Sequence, residues 1–107
     1  MTFKKSASIN LAAKDIEAAT RFALALGFEK SPEQYHAKSV SLTFGDPAFS
    51  LTYHSTEQYS TWLIPGKKTA DVTAVTEVLV TLSMESKEEV VRVVNRGVEA
   101  GGRRGLT

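Results

Sequence analysis

The sequence predicts an α+β fold in which a mixed, antiparallel-rich sheet carries its helices on one face. Segments that alternate between apolar and polar residues, as half-buried strands do, are interleaved with two amphipathic helical segments. The order strand, helix, strands occurs once in full, and a strand and a helix then follow again. At 107 residues, 42% of them hydrophobic, the chain is expected to form one domain over residues 1–107.

The first strand and helix are indicated by residue spacing. Residues 8–13 alternate, with Ile9 and Leu11 on one face. Asp15 then stands at an N-cap position, where its carboxylate can accept from free backbone N–H groups. Apolar residues recur at helical spacing after it, namely Ile16, Ala19, Ala23 and Leu26. Gly27 is placed to end the helix, because the residue after a helix often has a positive φ.

The next segments predict an antiparallel hairpin. Residues 39–44 and 48–54 each alternate between apolar and small or polar side chains, and Gly-Asp-Pro at 45–47 is a turn signal. A short extended piece at 28–31 is expected to add one more strand. Together with the first strand and helix, these segments make a βαβββ module over residues 6–54.

The second half begins the same pattern again. Residues 55–74 are predicted to connect the halves, with a short helix capped by Ser55 or Thr56 and then a polar loop. Residues 75–84 alternate and are predicted to form a strand, which opens a partial second module over 75–102.

A second helix is predicted after that strand. Ser86 and Glu89 have the spacing of a capping box, in which each side chain satisfies a backbone N–H at the helix start. Its buried stripe is expected to consist of Val90, Val94 and Val98. Glycines at 101 and 102 are expected to end the helix, and residues 103–107 to form a tail.

The two halves overlay when Asp15 is placed on Ser86, and the combined pattern resembles a known superfamily. The segments "NLAAKDIEAATRFALALGFE", "FSLTYHSTEQYSTWL" and "TEVLVTLSMESKEEVVRVVNRGVEAGG" are similar to the vicinal oxygen chelate superfamily, which includes glyoxalase I, bleomycin-resistance proteins and extradiol dioxygenases. They resemble most the glyoxalase-like proteins labelled predicted lactoylglutathione lyases. The resemblance covers about residues 6–102. Family members continue past A-G-G through three more strands, so it implies a truncated second module.

The resemblance also implies where a metal would bind. Catalytic members hold a divalent metal through His, Gln or Glu side chains on the concave face of the sheet. Carried over to this sequence, three of the ligand places fall on Ser8, Ser50 and Leu79, which are poor ligands or none. No metal and no cofactor are therefore expected, unless a partner chain supplies ligands. His54, at a strand end beside a loop, is interpreted as a surface histidine.

The strand faces opposite the helices carry small, mostly neutral side chains. Such residues favour a cupped cavity wall, because small side chains leave room and hydroxyls can orient a ligand. A solvent-exposed sheet face is the alternative, and Trp62 and Tyr59 could equally cover the cavity or pack in a core or dimer contact. The candidate ligand-binding residues are Asn10, Ser50, Thr52, Trp62, Leu79 and Thr81.

The expected function is small-molecule binding of the glyoxalase and bleomycin-resistance type, without metal catalysis. Two alternatives stay open: a metal-dependent lyase or dioxygenase completed by a partner chain, and a non-catalytic dimerisation domain. An open sheet edge recruits partners, so a homodimer or higher oligomer is expected.

Composition narrows the partners, the location and the metal chemistry that are expected. The formal charge of +1 predicts no nucleic-acid partner. No apolar run approaches the ~20 residues that span a bilayer, so no membrane partner is expected and the predicted location is cytoplasmic. The absence of cysteine excludes disulfides and Cys-ligated metals.

Overall fold

The computed structural model describes residues 7–31, 38–45 and 49–104. In chain order the elements are β1 (Ser8–Ala13), α1 (Ile16–Leu26), β2 (Glu29–Lys30), β3 (Ser39–Phe44), β4 (Phe49–Ser55), α2 (Thr56–Ser60) and α3 (Lys87–Glu99). The α+β fold class is confirmed. The turn predicted at 45–47 lies, apart from Gly45, outside the described residues. No helix in the described part of the chain is long and apolar enough to cross a membrane.

The strands form one four-stranded mixed sheet in the order β1-β4-β3-β2. β1 is parallel to β4, and the other two pairs are antiparallel. A parallel pair needs a crossover connection, which α1, β2 and β3 supply between β1 and β4. This arrangement is the predicted βαβββ order, with β1 at one edge of the sheet.

Helix α1 is bounded as its sequence predicts. The Asp15 carboxylate accepts a hydrogen bond from the Ala18 backbone N–H at 3.0 Å. At the other end Gly27 has φ 107°, a left-handed conformation that glycine adopts without a Cβ penalty, and its N–H donates to Leu24 O at 3.1 Å. Both caps satisfy backbone groups that a helix end otherwise leaves unpaired.

The core lies between α1 and one face of the sheet. Its buried side chains come from three strands, from α1 and from the residue after Gly27; they are Leu11, Ala23, Phe28, Leu42 and Leu51. Leu42, on the central strand β3, has no exposed surface. These strand residues alternate with the small polar ones, so the opposite face of the sheet is left polar.

The prediction of a buried valine stripe on α3 is wrong. Val90, Val94 and Val98 are between 38% and 46% exposed, whereas Val93 and Gly97 are buried. The reason is that α3 packs against α1 through its glycine face. A Cβ on Gly97 would lie only 2.9 Å from Leu26 Cδ2.

The start of α3 follows its sequence signal. Ser86 Oγ accepts from the Glu89 backbone N–H at 3.1 Å, which is one half of the predicted capping box. At the other end, a Cβ on Gly102 would clash with Phe22 Cε1 and lie 2.9 Å from the Gly97 carbonyl oxygen. The second glycine therefore permits a close approach to α1 as well as ending the helix.

No strand forms over residues 75–84, contrary to the prediction. No ladder joins this segment to the described strands, although it carries the alternating pattern of a strand. Val78, Val80 and Leu82 turn toward the helix side of the sheet, where they line an apolar cavity of about 330 Å³. Leu79, between them, is 87% exposed. A strand exists only through hydrogen bonds to a neighbour, and the described chain offers this segment none.

Candidate functional site

The sheet face turned away from α1 is the candidate site. Register places Asn10 beside Thr52 and Thr52 beside Ser41, so one row crosses three strands. The other two rows across the same strands are Ser8–Ser50–Thr43 and Ala12–His54–Ser39. On these three strands the face carries no charged residue: its side chains are hydroxyls, one amide, one alanine and one imidazole. We call these nine residues the polar face.

His54 links all three strands of the polar face. Its Nδ1 lies 2.6 Å from Ser39 Oγ on β3, and its Nε2 lies 2.8 Å from Asn10 Oδ1 on β1. His54 is only 6% exposed. The interpretation of His54 as a surface histidine is therefore wrong. Position 54 comes one residue before the end of β4, and partners on both neighbouring strands bury it.

The chemistry of the three groups assigns donor and acceptor roles along the hydrogen-bonded series Ser39–His54–Asn10. Asn10 Oδ1 can only accept, so the imidazole proton lies on Nε2 and donates to it. In the neutral imidazole, Nδ1 then accepts from the Ser39 hydroxyl. The carboxamide of Asn10 consequently directs its NH2 group away from His54. Asn10 itself is exposed, whereas Ser39 is 5% exposed.

A second side-chain pair lies at the centre of the polar face. Ser41 Oγ and Thr52 Oγ1 are 3.0 Å apart, and Thr52 is buried. A hydroxyl has one proton and two lone pairs, so this pair keeps one O–H and several lone pairs after bonding to itself. Ser50, one row away and half-buried, adds a further hydroxyl. The centre of the face is thus a set of neutral donors and acceptors.

Trp62 lies at the His54 end of the polar face. The indole and imidazole ring centroids are 4.7 Å apart with the ring planes at 88°, an edge-to-face contact. The chain reaches this position because Ser55 Oγ accepts from the Gln58 N–H at 3.1 Å and caps α2. Of the two predicted caps, Ser55 is the one used. Trp62 is 53% exposed, so its ring contacts His54 and still presents surface to solvent.

The six candidate residues separate into two groups. Asn10, Ser50 and Thr52 share the polar face, and Trp62 reaches its end through His54. Leu79 and Thr81 are exposed on the 75–84 segment, which does not pair with the described strands. Their predicted place on this face required residues 75–84 to form a strand of the sheet, and these residues form none.

Sequence reasoning did not assign His54 and Ser39 to the site. They stand 15 residues apart, and Asn10 stands 44 residues from His54, so no local motif joins them. The available signal was register: alternation places position 54 on the same face as Ser50 and Thr52. A polar residue there needs a partner once the strand is buried.

Charge lies at the margins of the polar face. Glu29 lies on the same side of the sheet, but on the far edge strand β2, where it pairs with Thr43. At the other end Lys38 Nζ and Glu57 Oε2 are 3.8 Å apart, and both side chains are well exposed. Within the described ranges no group of three or more His, Cys, Asp or Glu could hold a metal ion. The chemistry that this face offers is therefore hydrogen bonding and aromatic contact.

A different cavity lies at the start of α1, on the helix side of the sheet. It has a volume of about 510 Å³ and is lined in part by Tyr53, Thr69 and Asp71. Burial raises the pKa of the Tyr53 phenol, and the negative charge of Glu77 raises it further. Hydrogen bonds from Thr73 lower the pKa of the exposed Asp71 carboxyl. The Thr69 hydroxyl is buried without a hydrogen-bond partner among the described residues.

Comparison with known proteins gives a structural neighbour without an assigned activity. No family model and no curated protein significantly matches the chain. Among solved structures, it is similar to the hypothetical protein SA1046 from S. aureus, with a TM-score of 0.71 and 25% sequence identity. The match covers 94% of this chain and 72% of that one. The neighbour supports the α+β architecture.

Proposed function

We propose that this protein binds a small molecule on the polar face, in the manner of glyoxalase-like and bleomycin-resistance proteins, without metal catalysis. The observation that carries the proposal is the Ser39–His54–Asn10 chain with Trp62 against its histidine. A purely solvated sheet face has no need of a buried imidazole that joins three strands. The superfamily resemblance and the βαβββ order support the same reading. A cytoplasmic location is proposed with it and is checked by cell fractionation.

Trp62 makes the proposal directly testable, because it is the only tryptophan in the chain. A polar-metabolite library is screened by thermal shift, since a ligand that binds only the folded state raises Tm. Each hit is then checked in a ¹H–¹⁵N spectrum, where Trp62 gives a single indole N–H signal. We expect at least one hit to move that signal.

Two outcomes would contradict this proposal. If every hit leaves the Trp62 signal in place, the ligand binds elsewhere and the polar face is not the site. If elemental analysis of the purified protein finds a stoichiometric divalent metal, the metal-free part of the proposal is wrong. Isomerisation of a hemithioacetal that a chelator abolishes would favour the metal-dependent lyase alternative.

We also propose that the protein self-associates, as a homodimer or higher oligomer. The supporting observation is the 75–84 segment, which has a strand pattern and an 87% exposed Leu79 but no ladder among the described residues. Among the described strands, β1 likewise pairs only with β4. A second copy could supply a strand to either of these, and an unpaired edge is a template for such pairing.

Solution mass tests self-association without assuming a ligand. Light scattering at micromolar concentration should give more than one chain per particle. Leu79→Lys places a charge in the proposed interface and should shift the mass toward the monomer, whereas Val72→Lys, on an exposed loop, should not. A monodisperse monomer of the unaltered protein would overturn this proposal.

A further inference from the structure

We infer that Asn10 is the recognition donor of the polar face, and that the ligand is an uncharged planar molecule with a carbonyl-type oxygen. This inference rests on the proposed function and names the ligand class that the same site would take. Its three supports are the orientation of the Asn10 amide, the charge of the face and the position of Trp62.

The first support is the orientation of the Asn10 carboxamide. Its oxygen accepts from His54 Nε2 at 2.8 Å, and His54 is in turn anchored by Ser39 at 2.6 Å. The amide plane is therefore set by a buried residue although Asn10 is exposed. Its NH2 group has two N–H donors with no hydrogen-bond acceptor among the described residues. A preorganised donor of this kind suits a ligand oxygen that accepts.

The second support is the absence of charged residues from the polar face on β1, β4 and β3. A bound carboxylate or ammonium would find no oppositely charged side chain on the polar face, and the nearest charges at the His54 end, Lys38 and Glu57, already pair with each other at 3.8 Å. Burying an unpaired ion is costly. Glu29, the charged residue on the same face, lies beyond Thr43, at the opposite end from His54. A neutral amide, lactam or ketone avoids this desolvation cost and still accepts the Asn10 hydrogen bond.

The third support is the position of Trp62. Trp62 contacts the same imidazole that is hydrogen-bonded to Asn10. Only the His54 ring therefore lies between the Asn10 amide and the indole. Because the indole is 53% exposed, its free surface can take an aromatic ring in a stacked or edge-to-face contact. A ligand with a ring joined directly to a carbonyl can therefore touch both groups.

Three near-isosteric probes separate the charge classes: benzamide, benzoate and benzylamine. Fragments of this size bind at about millimolar concentration, so binding is followed by titration of the Trp62 indole and Asn10 side-chain amide signals. Benzamide should shift both signals, with an affinity at least tenfold above that of benzoate or benzylamine. Asn10→Asp replaces the donor with a carboxylate that His54 can still contact, so benzylamine should become the tightest of the three. Asn95→Asp, on the exposed side of α3, is the matched control and should keep the unaltered order.

The outcomes separate the ligand class from the proposed function. If benzoate or benzylamine binds the unaltered protein as tightly as benzamide, the ligand class is wrong. If library hits move the Trp62 signal but leave the Asn10 side-chain amide signal unchanged, the proposed function is retained and the role inferred for Asn10 is wrong. If no compound moves the Trp62 signal, both are overturned. Should Asn10→Asp not fold, the probe series on the unaltered protein still decides the ligand class.

Discussion

The hydrogen bond between Ser39 and His54 should contribute measurably to stability, whereas the bond between His54 and Asn10 should not. The test substitution is His54→Phe, which keeps an aromatic ring beside Trp62 but removes both ring nitrogens. Ser39 is 5% exposed, so its hydroxyl would lose its imidazole partner in a place that bulk water hardly reaches. A buried polar group without a partner costs about 1–3 kcal/mol. Asn10 is exposed, so water can replace the lost imidazole contact there.

A double-mutant cycle isolates this contribution. Ser39→Ala alone leaves Nδ1 of His54 without the serine, while the double variant removes both groups and leaves neither unpaired. The double variant should therefore be less destabilised than the two single effects together, by about 1–3 kcal/mol. The same cycle with Asn10→Ala and His54→Phe should show a coupling below about 0.5 kcal/mol.

Urea unfolding followed by Trp62 fluorescence provides the free energies, and thermal unfolding gives a second reading. For a domain of this size, each kcal/mol should lower Tm by roughly 4 °C. Equal slopes of free energy against urea concentration would show that all variants unfold between comparable states. If the effects of Ser39→Ala and His54→Phe simply add, the Ser39–His54 bond makes no net contribution to stability and our reasoning is refuted.

The remaining predictions concern packing and pH. Leu42→Ala, at the fully buried centre of the core, should cost about 2–5 kcal/mol by urea unfolding, and a loss below 1 kcal/mol would contradict the assigned core. Gly102→Ala should lower Tm, because its Cβ would meet Phe22 and the Gly97 carbonyl; an unchanged Tm would show that α3 does not pack this closely on α1. Burial raises the folded-state pKa of the Tyr53 phenol above its ordinary value. The protonated phenol therefore stabilises the fold fully below about pH 10, the pKa in the unfolded chain, and this contribution is lost as pH rises through the folded-state pKa. Tyr53→Phe should reduce the alkaline loss of Tm, and an identical pH profile would show that Tyr53 is not its source.

Local signals predicted the first module well, because its elements are set by neighbouring residues. Asp15 and Gly27 are caps whose chemistry acts within one helical turn, and both were placed correctly. The alternation in β3 and β4 assigned each side chain to the correct face, since the period of a strand is fixed at two residues. Asn10, Ser50 and Thr52 could therefore be grouped from the sequence.

The predictions that failed depend on which surface packs against which. Val90, Val94 and Val98 have the spacing of a buried stripe, yet α3 uses Gly97 because a small residue lets α1 approach. Apolar spacing reports that a face can be buried and does not identify its partner. Residues 75–84 have a strand pattern without a ladder for the same reason: the pattern is local, but the hydrogen-bonding neighbour is not.

The role of His54 shows how register can create a site that no motif reveals. β1 and β4 are parallel with Ser8 opposite Ser50, so His54 comes to lie opposite Ala12. Ala12 is small and leaves the imidazole room to reach along β1 to Asn10, two residues earlier and on the same face. A shift of one residue would turn His54 toward the core face and remove both of its partners at once. The polar face is thus a property of the strand pairing as well as of the polar residues themselves.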